Sequence, residues 1–202
     1  MKHDEIRRGL IDGTIHVIAR EGLDKASTKQ IGLTTSINEA YIYRCFESKE
    51  DMFAKTFASL DDELITKILQ HIEVMYMAEI EYKTRCKIFF NAIWRFLLGN
   101  REKCLTFIQY YYSPYFRKYS AEEHREKFIP VVEKFNNAFR ESANVWMLLN
   151  HILSTILDFA VKVFDDAVPD DDDTSEHVFR VIYFSIEHYF KKKESNSYEK
   201  CI

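Results

Sequence analysis

Five glycines and three prolines in 202 residues are too few turn residues for a protein of many short strands, so this chain is expected to fold into long helices. The length suits one large domain or a small domain joined to a larger one. Sixteen phenylalanines, twelve tyrosines and two tryptophans exceed the needs of a routine core. They point to a lined cavity or a protein interface as well as to a phenylalanine-rich interior.

Apolar spacing predicts a first helix from Asp4 to Arg20, stopped by Gly22. Ser27-x-x-Gln30 has the form of a capping box for a second, short helix over Thr28 to Leu33, which Thr34-Thr35-Ser36 should break. Asn38 can cap a third helix, Glu39 to Phe46, and Ser48 a fourth that continues to about Met77. Further helices are expected over Glu81 to Leu98, Arg101 to Ser113, Ala121 to Arg140, Ala143 to Phe164 and Ser175 to Lys193. In this reading Ser120-x-x-Glu123 is a second capping box, Pro130 kinks its helix unless it marks a break, and Thr174 can cap the last helix after an acidic loop. The fold class is therefore all-α. A three-helix head over residues 1–47 is joined by the long fourth helix to a larger body over residues 48–193, with a frayed tail over residues 194–202.

Helix, short helix, polar turn and short helix is the order of a helix-turn-helix DNA reader with one supporting helix in front. Helical spacing turns Ile42, Cys45 and Phe46, with Ile37 just before them, inward onto Ile31 and Leu10. Glu39, Ala40, Tyr43 and Arg44 face the other way. Arg44 can fork onto a guanine edge or grip phosphate, Tyr41 and Tyr43 can donate to phosphate, and Ala40 lets the helix approach. Glu39 either accepts from a cytosine amino group or serves the positive helix start. Lys49 at the fourth helix start, and Thr28 and Lys29 at the second, are candidate phosphate clamps. Thr35, Ser36 and Asn38 on the polar turn complete the DNA-binding set. Charge gives this reading little help, because residues 1–55 hold nine Lys/Arg against nine Asp/Glu.

The stretch EGLDKASTKQIGLTTSINEAYIYRCFESKEDMF resembles the N-terminal region of the tetracycline-repressor-type (TetR) regulators. The resemblance rests on Gly22, Ser27, Ile31, the pair Ile42-Tyr43 and the junction Phe46-Glu47-Ser48-Lys49-Glu50, and it covers about fifty residues. It implies a homodimeric repressor with one recognition helix per half-site, released from operator DNA when a small ligand enters the body. By motif position it makes Tyr43 and Lys49 phosphate contacts and places Glu39, Ala40, Tyr41 and Arg44 where base-reading residues vary. The sequence departs from the family pattern at Ser36, where glycine is common, at Glu39, where lysine or glutamine is, and at Cys45, where an aromatic is.

The resemblance assigns no ligand residues, so the body is read directly. Its aromatic concentration makes Phe90, Trp94, Phe107, Tyr110, Tyr111, Phe135, Phe139 and Trp146 candidate walls for an apolar, planar or cationic ligand. Gln109, Asn150 and His151 are candidates to orient it, with Asp158 beside them. Leu148, Ile152, Ile156, Phe159 and Val163, with Val178, Ile182, Ile186 and Tyr189, form two stripes that either meet a second copy or close the monomer core. GxSxG, HExxH, P-loop and paired Cys/His spacings do not occur, and His71, His124 and His188 are isolated, so neither an enzyme, a metal site nor a cofactor is expected. The four scattered cysteines read as reduced thiols of a cytoplasmic protein. The first twenty residues lack an apolar signal core and no apolar stretch looks long enough to cross a bilayer. The competing reading is a helical interaction or small-molecule carrier module without DNA binding.

Overall fold

The computed structural model describes residues 3–191, so the tail over residues 194–202 and the expected end of the last helix at Lys193 lie outside the described part. Ten α-helices and no strand occur among the described residues. Helix α1 (His3–Glu21) has Asp4 and Glu5 in its first turn and Arg20 in its last, both favourable to the helix dipole. It ends at Gly22, whose φ of +89° is a left-handed conformation that glycine adopts without strain. Helix α2 (Thr28–Thr35) starts on the expected capping box: the Gln30 amide donates to Ser27 Oγ at 3.2 Å and the Ser27 amide to Gln30 Oε1 at 3.1 Å. It extends two residues past the expected Leu33. Thr35 Oγ1 donates to the Ile31 carbonyl at 2.8 Å, and Ser36 at φ +55° ends the helix. Glycine would adopt this left-handed backbone without the strain that Ser36 carries.

The reading segment begins as a 3-10 turn, Glu39–Tyr41, which runs into α3 (Ile42–Cys45). Asn38 Oδ1 accepts from the Ala40 amide at 2.9 Å. Helix α4 (Lys49–His71) has Ser48 Oγ accepting from the Asp51 amide at 3.0 Å. It stops short of Met77 and tightens into a 3-10 turn over Ile72–Tyr76.

The body contains α5 (Tyr82–Leu98), α6 (Arg101–Tyr111), α7 (Pro114–Tyr119), α8 (Ala121–Asn136), α9 (Val145–Phe164) and α10 (Asp172–Ile186). Helix α7 was not expected; Pro114 fits its first turn, where the missing N–H has no helical partner to lose. The Ser120 capping box does not form. Ser120 Oγ lies 3.0 Å from the Tyr110 hydroxyl instead, in a buried contact between α6 and the start of α8. Helix α8 runs through Pro130 and ends at Asn136 rather than Arg140. Phe139 then bridges to Phe190, and Arg140 Nε donates to the Phe190 carbonyl at 3.0 Å. Asp171, not Thr174, caps α10 by accepting from the Thr174 amide at 2.8 Å, and that amide holds the Asp171 carboxyl below the usual range. Two of the loop aspartates, Asp172 and Asp173, are thereby drawn into the positive first turn.

Helix α9 corrects the expectation about apolar length. Its 20 residues are long and apolar enough to span a bilayer by length and composition. In the fold it is a central helix of the body, with Leu149, Leu153, Ile156, Leu157 and Ala160 buried. The stripes offered to a second copy divide accordingly: Ile156, Val163, Val178, Ile182 and Ile186 are core, while Leu148, Ile152 and Phe159 are half-buried.

Head and body share one apolar core. Phe57 on α4 stacks on Tyr110 at 4.9 Å and lies 5.0 Å from Phe107 and 5.3 Å from Phe116. Beside it Asp61 and His124 form a buried pair, 1% and 5% exposed, with Nδ1 at 2.9 and 3.0 Å from the two carboxylate oxygens.

Candidate nucleic-acid interface and effector cavity

Ile31 and Ile42, both fully buried, join α2 and α3 to the core that also contains Leu10 of α1. This anchors the inward face and leaves the opposite one in solvent. Tyr43 is 61% exposed, Tyr41 38%, and Arg44 and Ala40 are exposed as well. The Arg44 guanidinium lies 5.0 Å from the Tyr41 ring centroid, so the cation rests on an aromatic face that limits its freedom before any contact is made. Lys49 opens α4 with Nζ 5.3 Å from the Phe53 ring, and Lys29 is exposed in the first turn of α2. Free amides and cations at these two helix starts suit phosphate.

Other members of the expected set are engaged inside the head. Glu39 Oε1 accepts a hydrogen bond from Thr28 Oγ1, tying the start of the reading segment to the start of α2. Thr35 Oγ1 also accepts from the Ile37 amide at 3.3 Å, which makes it part of the turn. Gly32 explains how tight that turn is: a Cβ there would stand 3.0 Å from the Ile37 carbonyl. Leu33, 72% exposed on the outer side of α2, was not singled out by periodicity because it lies off the apolar stripe.

The body encloses a cavity of about 90 Å³ between α5, α8, α9 and α10. Of the expected walls, Phe90, Phe135 and Phe139 line it. Trp94, Phe107, Tyr110, Tyr111, Trp146, Gln109, Asn150 and His151 do not. Phe107 and Tyr110 face α4 instead, Trp94 stacks on Phe90, and Trp146 packs edge-on to Phe128. Tyr111 donates to Asn150 at 3.1 Å, and exposed His151 meets Ser185 at 2.9 Å, with Asp158 ion-paired to Lys162 on the same outer side. Ile152, Ile156, Ile182 and Ile186, expected on an interface stripe, form part of the cavity wall. Tyr82, Cys86 and Tyr183 bring its few polar atoms, and burial pushes the Cys86 thiol up to about 12. The thiol is therefore unreactive near neutral pH.

Gln109 serves a different purpose from the one expected. Its Nε2 donates to the Ile18 carbonyl at 3.2 Å and its Oε1 accepts from the Leu23 amide at 2.9 Å, so α6 grips the end of α1. Buried Thr106 donates to the Ile15 carbonyl at 3.0 Å, and His16 meets Glu102 at 3.0 Å. No spacing rule reveals such a long-range latch, because its two sides are about ninety residues apart in the sequence.

Residues 10–56 match the family model described as bacterial regulatory proteins, tetR family. Searches of curated proteins found no match. Among solved structures, a TetR family transcription regulator from Marinobacter aquaeolei VT8 is 14% identical with a TM-score of 0.70, over 94% of this chain and 97% of its own. A putative tetR family regulator from Shewanella sp. PV-4 gives 12% and 0.72, over 92% and 98%. The fatty acid degradation regulator FadR from Bacillus halodurans gives 16% and 0.65, over 87% and 93%.

Proposed function

We infer that this chain, whose head belongs to the TetR regulators and whose described length has the fold of their solved members, is a ligand-responsive transcriptional repressor. It acts in the cytoplasm as a homodimer on operator DNA. The observation that carries the reading is the outward Tyr43 and Arg44 face on a head gripped through α1 by α6, a body helix whose neighbours enclose an apolar cavity. A compound filling that cavity favours the body arrangement in which α6 moves the end of α1, and the two heads cease to match successive major grooves. DNA affinity falls by the coupling free energy.

Gel-shift or anisotropy titrations against DNA from beside the coding region, at several salt concentrations, test this. Tyr43→Ala and Lys49→Ala should weaken binding to every sequence, and Lys49→Ala, which removes a cation, should also lower the salt slope by about 1, whereas Arg44→Ala should cost about 1–3 kcal/mol and alter sequence preference. Binding without salt dependence or sequence preference overturns the reading. The carrier alternative draws support from one observation, the Glu39 carboxylate held beside Thr28 at the start of α2, where phosphate would otherwise sit. Absence of DNA binding in the same titration would favour it.

Dimerisation is assigned to the outer faces of α9 and α10, where Met147, Val181 and Phe184 are 66, 52 and 48% exposed. Side by side, two such faces bury apolar area that one copy leaves in water. Val181→Glu combined with Phe184→Glu should give a monomer by sedimentation velocity with unchanged helix content. A dimer that persists at micromolar concentration would move the interface elsewhere.

A further inference from the structure

Arg85 is 7% exposed, in the first turn of α5, yet no carboxylate among the described residues forms an ion pair with it. Its Nη1 donates to the Met75 carbonyl at 2.7 Å, while its Nε has no hydrogen-bond partner among the described residues. The carboxylate nearest in sequence, Glu81, is occupied in capping α5, accepting from the Lys83 and Thr84 amides at 3.0 and 2.8 Å. A buried cation without a counter-ion is costly, and a buried donor without an acceptor adds to that cost.

Arg85 is not itself among the residues that line the apolar cavity, but it adjoins two that are. Its guanidinium lies 5.1 Å from the Tyr82 ring centroid, and Tyr82 and Met75 both line the cavity. The Tyr82 hydroxyl is itself buried, with no hydrogen-bonding neighbour among the described residues beyond the weak Cys86 thiol. Burial raises the phenol well above its ordinary value, so it remains a donor near neutral pH. Lys83 adds a second cation, 5.4 Å from the ring of Tyr183, another cavity residue. The cavity lining contains no Asp or Glu, and the rest of it is isoleucine, leucine, valine, methionine and phenylalanine apart from Cys86.

We propose that the effector is an apolar monocarboxylate, with its carboxylate taken by Arg85 and the Tyr82 hydroxyl and its aliphatic or aryl body lying among Phe90, Phe135 and Ile182. The proposal rests on the reading of this cavity as the effector site and names the ligand's chemistry. It also reverses the expectation of a cationic ligand, which would meet aromatic faces here but also the positive charge of Arg85 beside the lining residue Tyr82. A planar guanidinium fork and a carboxylate match in geometry, and formation of the pair supplies the absent counter-charge.

Calorimetric titration of the full chain with decanoate, decanol and decylamine, with inorganic phosphate as a control anion, tests it. Decanoate should bind at least tenfold more tightly than decanol, with decylamine and phosphate weaker still. Arg85→Met should erase the preference for decanoate over decanol while leaving decanol binding, and Tyr82→Phe should reduce it several-fold. Equal binding of decanoate and decanol, or tighter binding of decylamine, overturns the carboxylate assignment and leaves the cavity reading intact. Phosphate competing with decanoate at equal strength would assign a free inorganic anion instead and overturn the proposal. If none of the three chain compounds binds, the cavity reading falls and takes this inference with it. Should Arg85→Met not fold, the wild-type comparison and Tyr82→Phe still decide.

Discussion

His124→Phe should destabilise the protein by about 3–5 kcal/mol, because it leaves the Asp61 carboxyl buried with no partner in a cluster of rings. Asp61 is 1% exposed, and among the described residues its side chain accepts hydrogen bonds from His124 Nδ1 alone. The pair is walled by Tyr111, Phe116 and Phe128, each with its ring 5.5 Å from the imidazole. Water cannot replace the lost donor there without opening α4 from α8. Two companion variants separate pairing from packing. Asp61→Asn keeps an acceptor for the imidazole N–H and should cost only about 1 kcal/mol, the scale of one net hydrogen bond. Asp61→Leu with His124→Phe removes both polar groups and should lie close to wild type, as replaced buried pairs often do. Urea unfolding gives the readout: a shifted midpoint with unchanged slope. If His124→Phe and Asp61→Asn cost the same, the carboxyl is not the group that suffers.

The second large effect is expected at Gln109. Gln109→Leu removes both hydrogen bonds from α6 to the end of α1 and leaves the buried Leu23 amide without its acceptor. An orphaned buried donor costs about 1–3 kcal/mol, and here the cost falls on the junction between head and body. Hydrogen exchange should show the Leu23 amide losing protection while the Ile31 amide, bonded to the Ser27 carbonyl at 3.0 Å inside the head, keeps its own. If α6 transmits the state of the cavity, the ratio of DNA affinities with and without bound effector should also shrink towards one. Effector affinity in the absence of DNA should change little. An unchanged ratio would mean that the signal travels along α4 rather than through this latch. Coupling energies of this kind are typically about 1–3 kcal/mol, so the loss of one such contact is measurable.

Signals contained within a few residues were legible in the sequence. The caps at Ser27, Asn38 and Ser48 formed as read, since serine and asparagine oxygens need only the amides two or three residues ahead. Ser120 failed because a residue from another helix, Tyr110, competes for its hydroxyl. Thr174 failed because Asp171, three residues before it, is a stronger acceptor already in place. In the head, helical period separated buried Ile42 and Phe46 from exposed Tyr43 and Arg44. In the body, composition found the aromatic region but not its orientation: α6 presents Phe107 and Tyr110 to Phe57 of α4, and the cavity draws its rings from α5, α8 and α10 instead. Arg85 escaped notice because a lone arginine near a helix start looks like a surface residue until its burial is known.

The double membership of α1 bears on how such proteins can be recombined. Ile31 and Ile42 hold α1 from one side, while Thr106 and Gln109 hold it from the other. A chimera that moves residues 1–47 onto a foreign body would carry the DNA-reading surface but sever Ile15, Ile18 and Leu23 from their partners. Transplanting a working sensor-reader pair therefore means exchanging α6 residues together with the head, and the natural cut lies between interacting surfaces rather than at a point along the chain.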